Sequence, residues 1–525
     1  MKAGGTAAVA GIATRVALFL ALPVWQVWGA GTAALGPVSL DLSGHVWTVW
    51  NAGQGSVTRS TMVAWPEGVD LMPILGGWLD IFIGSVLVQF MSPIVAFNVV
   101  CGLFLMVGGW GGYALARAAG SSAVAATLAG FVLQLDGYLW HHMFGGRSEQ
   151  LGVGFVALAL AAAWSLRKPG WKVALTGVAG ALVVYVSWEH AMFLAAALLV
   201  LLPAVTWDRE RAKAWAMAAG VCVLLAGPWS AMFVLRTLEV RELAEGAQMM
   251  GVAPNHSIVL GKWLSSGMVR PSLLCMACLV FLRGRAWAVA GVGLVVSLLL
   301  AVGPTPGWMA PGDLGIPGPW AAMQSLPFLG WFHTPDRLAV GINLAAVCGA
   351  AAAFDRLKGP WRWVLAFLLV VSGILHVYRT VHPRGHWSLP PPIELVGEGA
   401  VLDLPAFPPG MEVGPYQFHQ LMHQRPIPYH MTATYLTHDS LAGLIDGLPA
   451  IQALVSPAVG TVPEDTLVAE LRVLRERGVG TLMLHTGRFV AQHGVTRQRL
   501  LSKKLGSPER WMNRPVWDLA ELPEE

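Results

Sequence analysis

Long apolar segments dominate residues 13 to 379 of this chain. A transmembrane helix needs about 20 mostly apolar residues. Eleven segments approach that length: 13–35, 91–115, 121–139, 150–166, 171–187, 190–206, 214–235, 266–282, 286–303, 337–354 and 361–379. Only 12% of the 525 residues are charged, whereas soluble domains carry about 25%. The pattern therefore predicts an all-α polytopic membrane domain with about 11 transmembrane helices.

The basic residues fall in alternate loops between these segments. Short loops rich in Lys and Arg lie on the cytoplasmic side of a membrane. The basic set comprises Lys2, Arg15, Arg117, Arg167, Lys168, Lys172, Arg209, Arg211, Lys213, Arg283, Arg285, Arg356, Lys358 and Arg362. We expect a bacterial inner-membrane protein with a cytoplasmic N-terminus and an extracytoplasmic C-terminal domain. The net charge of +4 is small, and the basic residues lie mostly in the short loops that orient the protein in the membrane. No nucleic-acid partner is therefore predicted.

Composition changes near residue 382 and predicts a division into domains. The membrane domain with its long outer loops covers 1–381, a Pro-rich linker covers 382–392, and a small α/β extracytoplasmic domain covers 393–525. Within the last domain, 400–404 and 480–484 are typical of buried strands. Residues 463–477 and 495–505 are typical of helices. Residues 74–90 are apolar but begin with Gly-Gly and contain Asp80, which favours an interfacial or re-entrant helix.

Ionisable residues of the outer loops gather at one water interface when the chain is threaded through a bilayer. The set comprises Asp41, His45, Glu67, Asp70, His141, His142, Glu149, Glu189, His190, His256, His333 and Asp336. Ionisable groups at or near membrane depth are costly unless they are paired or used. The pattern therefore predicts chemistry or binding at the outer face.

The first outer loop contains Asp41 and His45, four residues apart in SLDLSGHVW. On a helix these two side chains share a face, and a carboxylate at the interface can act as general base on an acceptor hydroxyl. Asp41 could equally cap a short helix, and the sequence favours neither interpretation.

The second outer loop combines Asp136, His141, His142, Arg147 and Glu149. Arg147 could bind an anionic headgroup, because guanidinium binds phosphate in a bidentate manner. Glu149 could instead favour the N-terminal end of the following helix. Adjacent histidines point apart on a helix, so a metal site at the pair is the weaker interpretation.

Two further outer segments carry paired charges. The apolar run breaks at Glu189-His190, which indicates either a tight outer turn or a polar kink within the membrane. At the mouth of the tenth span, His333, Asp336 and Arg337 lie together in FHTPDRLAV. Arg337 is a candidate for binding a lipid-linked phosphate. Snorkelling to the interface, or charge balance with Asp336, is the alternative.

Several local motifs, taken in order, resemble a known superfamily. They are LDLSGHVW, the Trp-Pro-Glu-Gly segment, SPIVAFNVVCGLFLMVGGWGGYALARAAG, GGRSEQLGVGFVALAL, FHTPDRLAVGINLAA and VLDLPAF with PYQFHQLMHQRPIPYHM. Together they resemble polytopic bacterial members of the type C glycosyltransferase (GT-C) superfamily. The resemblance covers nearly the whole chain, although each motif is short.

The resemblance implies transfer of a sugar from a polyprenyl-phosphate carrier to a glycan, lipid or protein acceptor on the extracytoplasmic face, with inversion at the sugar carbon. It assigns Asp41 as the base or acceptor-orienting acid. The phosphate-binding arginine maps to Arg337, or less securely to Arg147, and a second-loop acid maps to Glu149 or Asp136. The candidate catalytic residues are thus Asp41, His45 and Glu149, and the candidate substrate-binding residues are Arg337, Arg147, His142, His333 and Glu189.

This sequence departs from the family pattern in the first loop. Asp41 is not followed by a second acid, and His45 lies nearby instead. No metal or other cofactor is firmly predicted, and a divalent metal stays an open alternative beside the lipid-linked sugar donor. The alternative function is a non-catalytic membrane protein that presents or moves lipid-linked glycans or scaffolds envelope assembly. An ion-coupled transporter is less favoured, because no inverted repeat is evident.

Overall fold

The chain divides into two structural units. The computed structural model describes residues 3–522 apart from 36–39, 56, 73–74, 203–206, 240–273, 275–276, 302, 304–313, 315–316, 325–334, 382–386, 390–391, 407–413, 429–440, 457–460 and 491–492. The first unit comprises Met1–Pro37 and Leu75–Ser388, and the second comprises Val38–Ile74 and Leu389–Glu525. The first outer loop, within residues 38–74, therefore groups with residues 389–525, which we call the tail. The sequence did not indicate this grouping. The predicted boundaries 1–381, 382–392 and 393–525 stay predictions.

The described part of the chain is mostly helical. In chain order its α-helices are α1 (Ala3–Ala30), α2 (Leu40–Gly53), α3 (Leu79–Leu87), α4 (Pro93–Ala118), α5 (Ala123–Gln134), α6 (Gly137–Phe144), α7 (Val153–Ser165), α8 (Trp171–Val186), α9 (Trp188–Leu201), α10 (Arg209–Glu239), α11 (Arg285–Ala301), α12 (Pro319–Gln324), α13 (Val340–Arg356), α14 (Trp361–Val381), α15 (Gly414–His423), α16 (Pro449–Val455), α17 (Leu467–Glu476) and α18 (His493–Leu505). Short 3₁₀ helices at Ser148–Gly152 and Pro335–Ala339 precede α7 and α13.

Six helical segments among the described residues are long and apolar enough to cross a membrane. They are Gly11–Ala30, Pro93–Ala118, Ala123–Phe144, Arg209–Glu239, Arg337–Arg356 and Trp361–Tyr378. Three shorter apolar helices are Trp171–Val186, Trp188–Leu201 and Ala286–Ala301. The protein is therefore a multi-pass membrane protein. The number of eleven spans stays a prediction, since the predicted span 266–282 lies largely outside the described residues.

Side-chain caps fix where several of these helices begin. The hydroxyl of Ser92 accepts from the Val95 N–H before α4, and that of Ser122 accepts from the Ala125 N–H before α5. A capping side chain satisfies an N–H that has no partner within its own helix. The break between α8 and α9 lies at Ser187, whose backbone is extended and whose hydroxyl accepts from the His190 N–H. A single extended residue therefore separates the two helices, and the outer turn and the kink within the membrane both stay predictions.

Glycines bring the helices of the first unit close together. A Cβ on Gly111 of α4 would lie 2.3 Å from the carbonyl oxygen of Gly154 on α7. A Cβ on Gly112 would lie 3.0 Å from the Cα of Gly130 on α5. Small residues allow such close backbone approach between membrane helices. The GGWGG run of α4 therefore serves packing on two neighbours.

The Gly-Gly segment before α3 runs beside the break between α8 and α9. The Trp78 N–H donates to the Tyr185 carbonyl at 2.6 Å, and the Trp188 N–H donates to the Gly76 carbonyl at 3.1 Å. A Cβ on Gly77 would lie 2.1 Å from the Val186 carbonyl oxygen, so only glycine fits there. The nine-residue α3 is too short to span a bilayer, as the prediction of an interfacial or re-entrant helix requires.

The second unit contains a four-stranded sheet. Its strand order is β5 (Ala400–Leu404), β6 (Val479–Leu484), β8 (Arg514–Asp518) and β7 (Glu509–Trp511), and within this sheet only the β5–β6 pair is parallel. Earlier in the chain are two short antiparallel pairs, β1 (Ala33–Ala34) with β4 (Trp387–Ser388) in the first unit and β2 (Arg59–Ser60) with β3 (Val69–Asp70) in the second. The strands predicted at 400–404 and 480–484 are thereby confirmed. The predicted helices 463–477 and 495–505 are present as α17 and α18.

Candidate functional site

Arg337 of the first unit lies between two buried carboxylates. Its Nη1 is 2.9 Å from Glu189 Oε1 and 3.7 Å from Glu149 Oε1. The three residues come from the 3₁₀ helix before α13, the first turn of α9 and the 3₁₀ helix before α7. The structure thus brings together three residues that the sequence nominated from separate loops. Their roles in substrate binding or catalysis stay predictions.

Polar neighbours orient the two carboxylates. The Ser187 hydroxyl donates to Glu189 Oε2 at 2.8 Å. Gln150 Nε2 lies 3.4 Å from Glu189 Oε2 and 3.5 Å from Glu149 Oε1. A buried carboxylate is tolerated when such donors and a cation surround it. Ser187 and Gln150 therefore hold the acids in place around the guanidinium, which the sequence alone did not reveal.

Tyr138 connects this cluster to the backbone of Arg337. Its hydroxyl oxygen lies 2.9 Å from Gln150 Oε1 and 2.9 Å from the Arg337 carbonyl oxygen. Asp136 accepts from the Tyr138 N–H at 2.9 Å and so caps α6. Glu149 is the second-loop acid whose approach to Arg337 is measured, at 3.7 Å, and the assignment of that acid to Glu149 or Asp136 stays a prediction.

Asp80 adds a further buried acid that the sequence did not nominate as a site residue. The Ser148 hydroxyl donates to Asp80 Oδ2, and a carboxylate oxygen of Asp80 lies within 4.8 Å of one of Glu149. Hard carboxylate oxygens suit Mg²⁺, Mn²⁺ or Ca²⁺. The donor types of Asp80 and Glu149 therefore fit a divalent cation. Asp80 was overlooked because the apolar run around it indicated only a helix.

The two histidines of the second loop are in contact through their rings, whose centroids are 5.3 Å apart at an angle of 76°. His142 is buried, with its ring 4.3 Å from that of Tyr138, whereas His141 is half-buried. Arg147 is partly buried just before the 3₁₀ helix. The metal interpretation of the pair stays a prediction. The candidate His333 lies outside the described residues.

His190 is a polar residue of the first unit that the sequence nominated only as part of the outer cluster. Its side chain is completely buried. Neither ring nitrogen has a hydrogen-bond partner within the described ranges of the chain. A buried polar group without a partner needs an explanation. Its neighbour Glu189 on α9 contacts Arg337, so His190 belongs among the candidate site residues.

Asp41 and His45 lie in the second unit, in the first two turns of α2. His45 Nδ1 is 3.0 Å from the Asp41 carbonyl oxygen, so the ring nitrogen donates to the backbone one turn earlier. Both side chains are partly exposed. The predicted helical spacing of four residues is confirmed, whereas a catalytic role for either residue stays a prediction.

The second unit also contains a buried cluster at the carboxyl ends of β5 and β6. His485 Nε2 lies 2.6 Å from Asp403 Oδ1, and Arg514 Nε donates to His485 Nδ1 at 3.1 Å. Because Nδ1 accepts, the single proton of the neutral ring is on Nε2, which donates to Asp403. The His419 ring stacks on that of His485 at 5.2 Å.

This donor set matches a metal ion in type but not in protonation. Ligand atoms of Asp403, His419 and His485 lie within 4.8 Å of one another, and two imidazoles with a carboxylate suit zinc. However, Nε2 of His485 carries the ring proton and so has no lone pair for a metal ion. The nearby guanidinium of Arg514 adds a positive charge, which also disfavours a cation. Burial lowers the pKa of His485 and holds that of His419 well below its usual range. The geometry therefore favours a neutral His485 ring that donates to Asp403 over a metal ion at this place.

Several solved structures are similar to this chain. Arabinofuranosyltransferase AftD from Mycobacteria has a TM-score of 0.60 at 17% identity, covering 90% of this chain and 36% of that chain. ArnT from Cupriavidus metallidurans in the apo state has a TM-score of 0.54 at 12% identity, covering 100% of both chains. The Archaeoglobus fulgidus oligosaccharyltransferase in the apo form has a TM-score of 0.50 at 12% identity, covering 90% of this chain and 69% of that chain.

The likeness defines a class of membrane protein. This chain shares the fold of these three structures, and the fold that the GT-C resemblance of the sequence implied is confirmed at that level. The chain spans about a third of the length of AftD. No family model matches the sequence, and neither does any curated protein.

Proposed function

We propose that the protein is a membrane glycosyltransferase. It would transfer a sugar from a polyprenyl-phosphate carrier in the membrane to a glycan, lipid or protein acceptor on the extracytoplasmic face. The GT-C fold supports the general class of reaction. The observation that carries the proposal is the guanidinium of Arg337, which acids from two other elements hold at the start of α13.

Arg337 is proposed to bind the phosphate of the donor. A leaving phosphate gains negative charge as its bond to the sugar breaks, and a cation placed in advance stabilises that charge without reorganising. Guanidinium is the side chain best suited to bind phosphate oxygens at two points. Glu189 and Glu149 would fix the direction of the guanidinium, whose side chain keeps 16% exposure for a ligand. His142, Arg147 and His333 stay candidates for binding the rest of the donor.

Asp41 is proposed as the base or orienting group for the acceptor, with His45 beside it. The acceptor hydroxyl would lose its proton to Asp41 as its oxygen bonds to the sugar carbon. The bond between that carbon and the phosphate oxygen breaks in the same step, and the lipid phosphate leaves. Displacement from the opposite side inverts the configuration at the sugar carbon.

Glu149 is proposed as a third catalytic residue. With Asp80 it offers oxygen donors for a divalent cation, which would help to neutralise the donor phosphate when bound. Without a cation, Glu149 would still help to orient Arg337, since both Glu149 and Glu189 approach Nη1 of the guanidinium. We also propose that the protein lies in a bacterial inner membrane, with its N-terminus in the cytoplasm and its C-terminal domain on the extracytoplasmic side.

The test is transfer by the full chain in lipid nanodiscs. The probes are a panel of radiolabelled polyprenyl-phosphate monosaccharides, with membrane glycan extracts as acceptors. We expect Arg337→Gln and Asp41→Asn each to lower the rate on the order of 100-fold. The matched control is Arg236→Gln, since Arg236 forms an exposed ion pair with Glu239. Full activity of either site variant contradicts its assigned role.

The same experiment separates the non-catalytic alternative. A protein that presents or moves lipid-linked glycans would bind the lipid probe and leave the sugar on its carrier. Binding that Arg337→Gln weakens, without any transfer by the unaltered chain on the whole panel, would favour that alternative over the enzyme.

A further inference from the structure

The helix that carries Asp41 is attached to the tail by a buried hydrogen bond. Trp47 Nε1 of α2 donates to Gln420 Oε1 of α15 at 2.6 Å. Both side chains are completely buried, and both belong to the second unit. The same Gln420 amide donates to the carbonyl oxygens of Met62 and Arg425. One side chain of the tail therefore contacts both the helix and the segment that follows it in the first outer loop.

The attachment is made by residues on a different side of α2 from the candidate acid. Successive residues of an α-helix are separated by about 100°. Asp41 and His45 are therefore about 40° apart, whereas Trp47 lies about 120° from Asp41 and about 160° from His45. Asn51 lies about 40° from Trp47 on the attached side, where its Oδ1 accepts from the Ser60 hydroxyl at 2.7 Å. Trp47 and Asn51 are buried, while Asp41 and His45 keep partial exposure.

A second connection runs from the first loop to the sheet. The Ile427 N–H donates to the Met62 carbonyl at 2.9 Å, and the Trp65 N–H donates to the Ile427 carbonyl at 3.2 Å. One residue earlier, the Pro426 carbonyl accepts from the Val401 N–H of β5 at 2.8 Å. The loop is thus joined through residues 426 and 427 to the edge of the sheet.

We propose that the tail is the scaffold that positions the first outer loop, with Gln420 as the positioning residue for α2. In this arrangement the exposed face with Asp41 and His45 is held by contacts made on the other face. The importance of this positioning for catalysis rests on the proposed function. The physical attachment of α2 to the tail does not, so the two can be tested separately.

The attachment is tested by hydrogen exchange on the full chain in nanodiscs. Gln420→Leu and Trp47→Phe each remove the hydrogen bond and leave an apolar side chain in its place. We expect amides of 40–53 to exchange about 10-fold faster in both variants, because local opening is easier once the bond is lost. The control is Gln452→Leu, since Gln452 is exposed and its amide bonds only within the tail. Unchanged protection of 40–53 in both variants overturns the proposal.

The consequence for catalysis is tested with the lipid-linked sugar that the unaltered chain uses. We expect Gln420→Leu to lower kcat about 10-fold or more, because misplacing a catalytic group by about 1 Å is costly, and to leave KM for the lipid probe unchanged. The double variant with Trp47→Phe should lose less than the sum of the two single losses, because both changes remove the bond between Trp47 and Gln420.

The two failures are distinguishable. Full activity of Asp41→Asn overturns the proposed catalytic role of Asp41. The attachment of α2 to the tail is then tested by the hydrogen exchange of residues 40–53 alone. If Asp41→Asn is inactive while Gln420→Leu keeps the kcat of the unaltered chain, the acid stands and the positioning role is overturned.

Discussion

Arg337 Nη1 donates to Glu189 Oε1 across 2.9 Å, although the two residues are 148 positions apart. Both side chains are largely buried, with exposures of 16% and 9%. A buried ion pair costs desolvation on both sides, and losing one partner leaves an uncompensated charge. The pair therefore joins α9 to the start of α13, whatever ligand the guanidinium also binds.

Removal of the Glu189 charge is expected to destabilise the protein. In Glu189→Gln, Arg337 loses the nearer carboxylate and keeps the more distant one of Glu149, at 3.7 Å. We expect a loss of about 2–3 kcal/mol in the free energy of unfolding, measured as denaturant unfolding of the full chain in detergent. The control Glu239→Gln breaks an exposed pair with Arg236 at 3.0 Å and should change little. Equal losses of unfolding free energy in the two variants would show that the buried pair stabilises the protein no more than the exposed pair does.

A methyl group at Gly111 is expected to separate α4 from α7. Its Cβ would lie 2.3 Å from the Gly154 carbonyl oxygen, and overpacking of this kind costs about 1–3 kcal/mol. The matched control is Gly220→Ala on α10, where nothing lies within 4 Å of the added atom. Thermal unfolding should show a lower midpoint for Gly111→Ala only. A midpoint for Gly111→Ala that matches the control would contradict the close packing described here.

The tail is expected to lose stability in mild acid. Burial lowers the pKa of His423 from 6.5 to about 4, so the folded tail favours the neutral ring. Its contribution to stability is complete above pH 6.5 and is lost as the pH falls from 6.5 towards 4, because the unfolded chain binds the proton first. At pH 5 the loss is about 2 kcal/mol, from 1.5 units at about 1.36 kcal/mol each.

The measurement is thermal unfolding of the full chain at pH 7.5 and pH 5. His423→Gln removes the titrating group, so its midpoint should fall less between the two pH values than that of the unaltered protein. The difference in fluorescence between the unaltered chain and Trp511→Phe isolates the signal of Trp511, whose ring lies 5.9 Å from that of His423. Equal falls in both proteins would rule out His423 as the cause.

Loss of the Tyr138 hydroxyl is expected to weaken the site of the first unit. Tyr138→Phe removes the group that lies 2.9 Å from both Gln150 Oε1 and the Arg337 carbonyl oxygen. Loss of a buried hydrogen bond costs about 1–2 kcal/mol. Tyr185→Phe is the control, because its hydroxyl donates to the Leu225 carbonyl in an exposed position. Similar unfolding energies for the two variants would mean that the buried hydroxyl is not structurally important.

Hydropathy and charge along the sequence predicted the helices and strands better than they predicted which distant residues contact one another. The strands at 400–404 and 480–484 were evident because buried parallel strands are continuous apolar runs. The contact of Glu189 with Arg337 was not evident, because pairing across 148 residues leaves no local signal. Both residues could be nominated only because a charge at membrane depth is unusual.

The grouping of the first outer loop with the tail had no signal in the sequence. Trp47 is one tryptophan among 24, and nothing in its local sequence distinguishes it from the others. Gln420 carries no charge and belongs to no periodic pattern that would indicate a distant partner. A buried amide that satisfies an indole N–H can be recognised only when both are placed in space.

The bond between Trp47 and Gln420 also has a consequence for synthesis in the cell. The two residues are separated by 373 positions, and ribosomes add roughly 5–20 residues per second. Trp47 is therefore made roughly 20–75 s before its partner exists, at these rates. During that interval the apolar side of the first loop has none of its tail contacts, so the loop that carries Asp41 is among the last parts of the protein to mature.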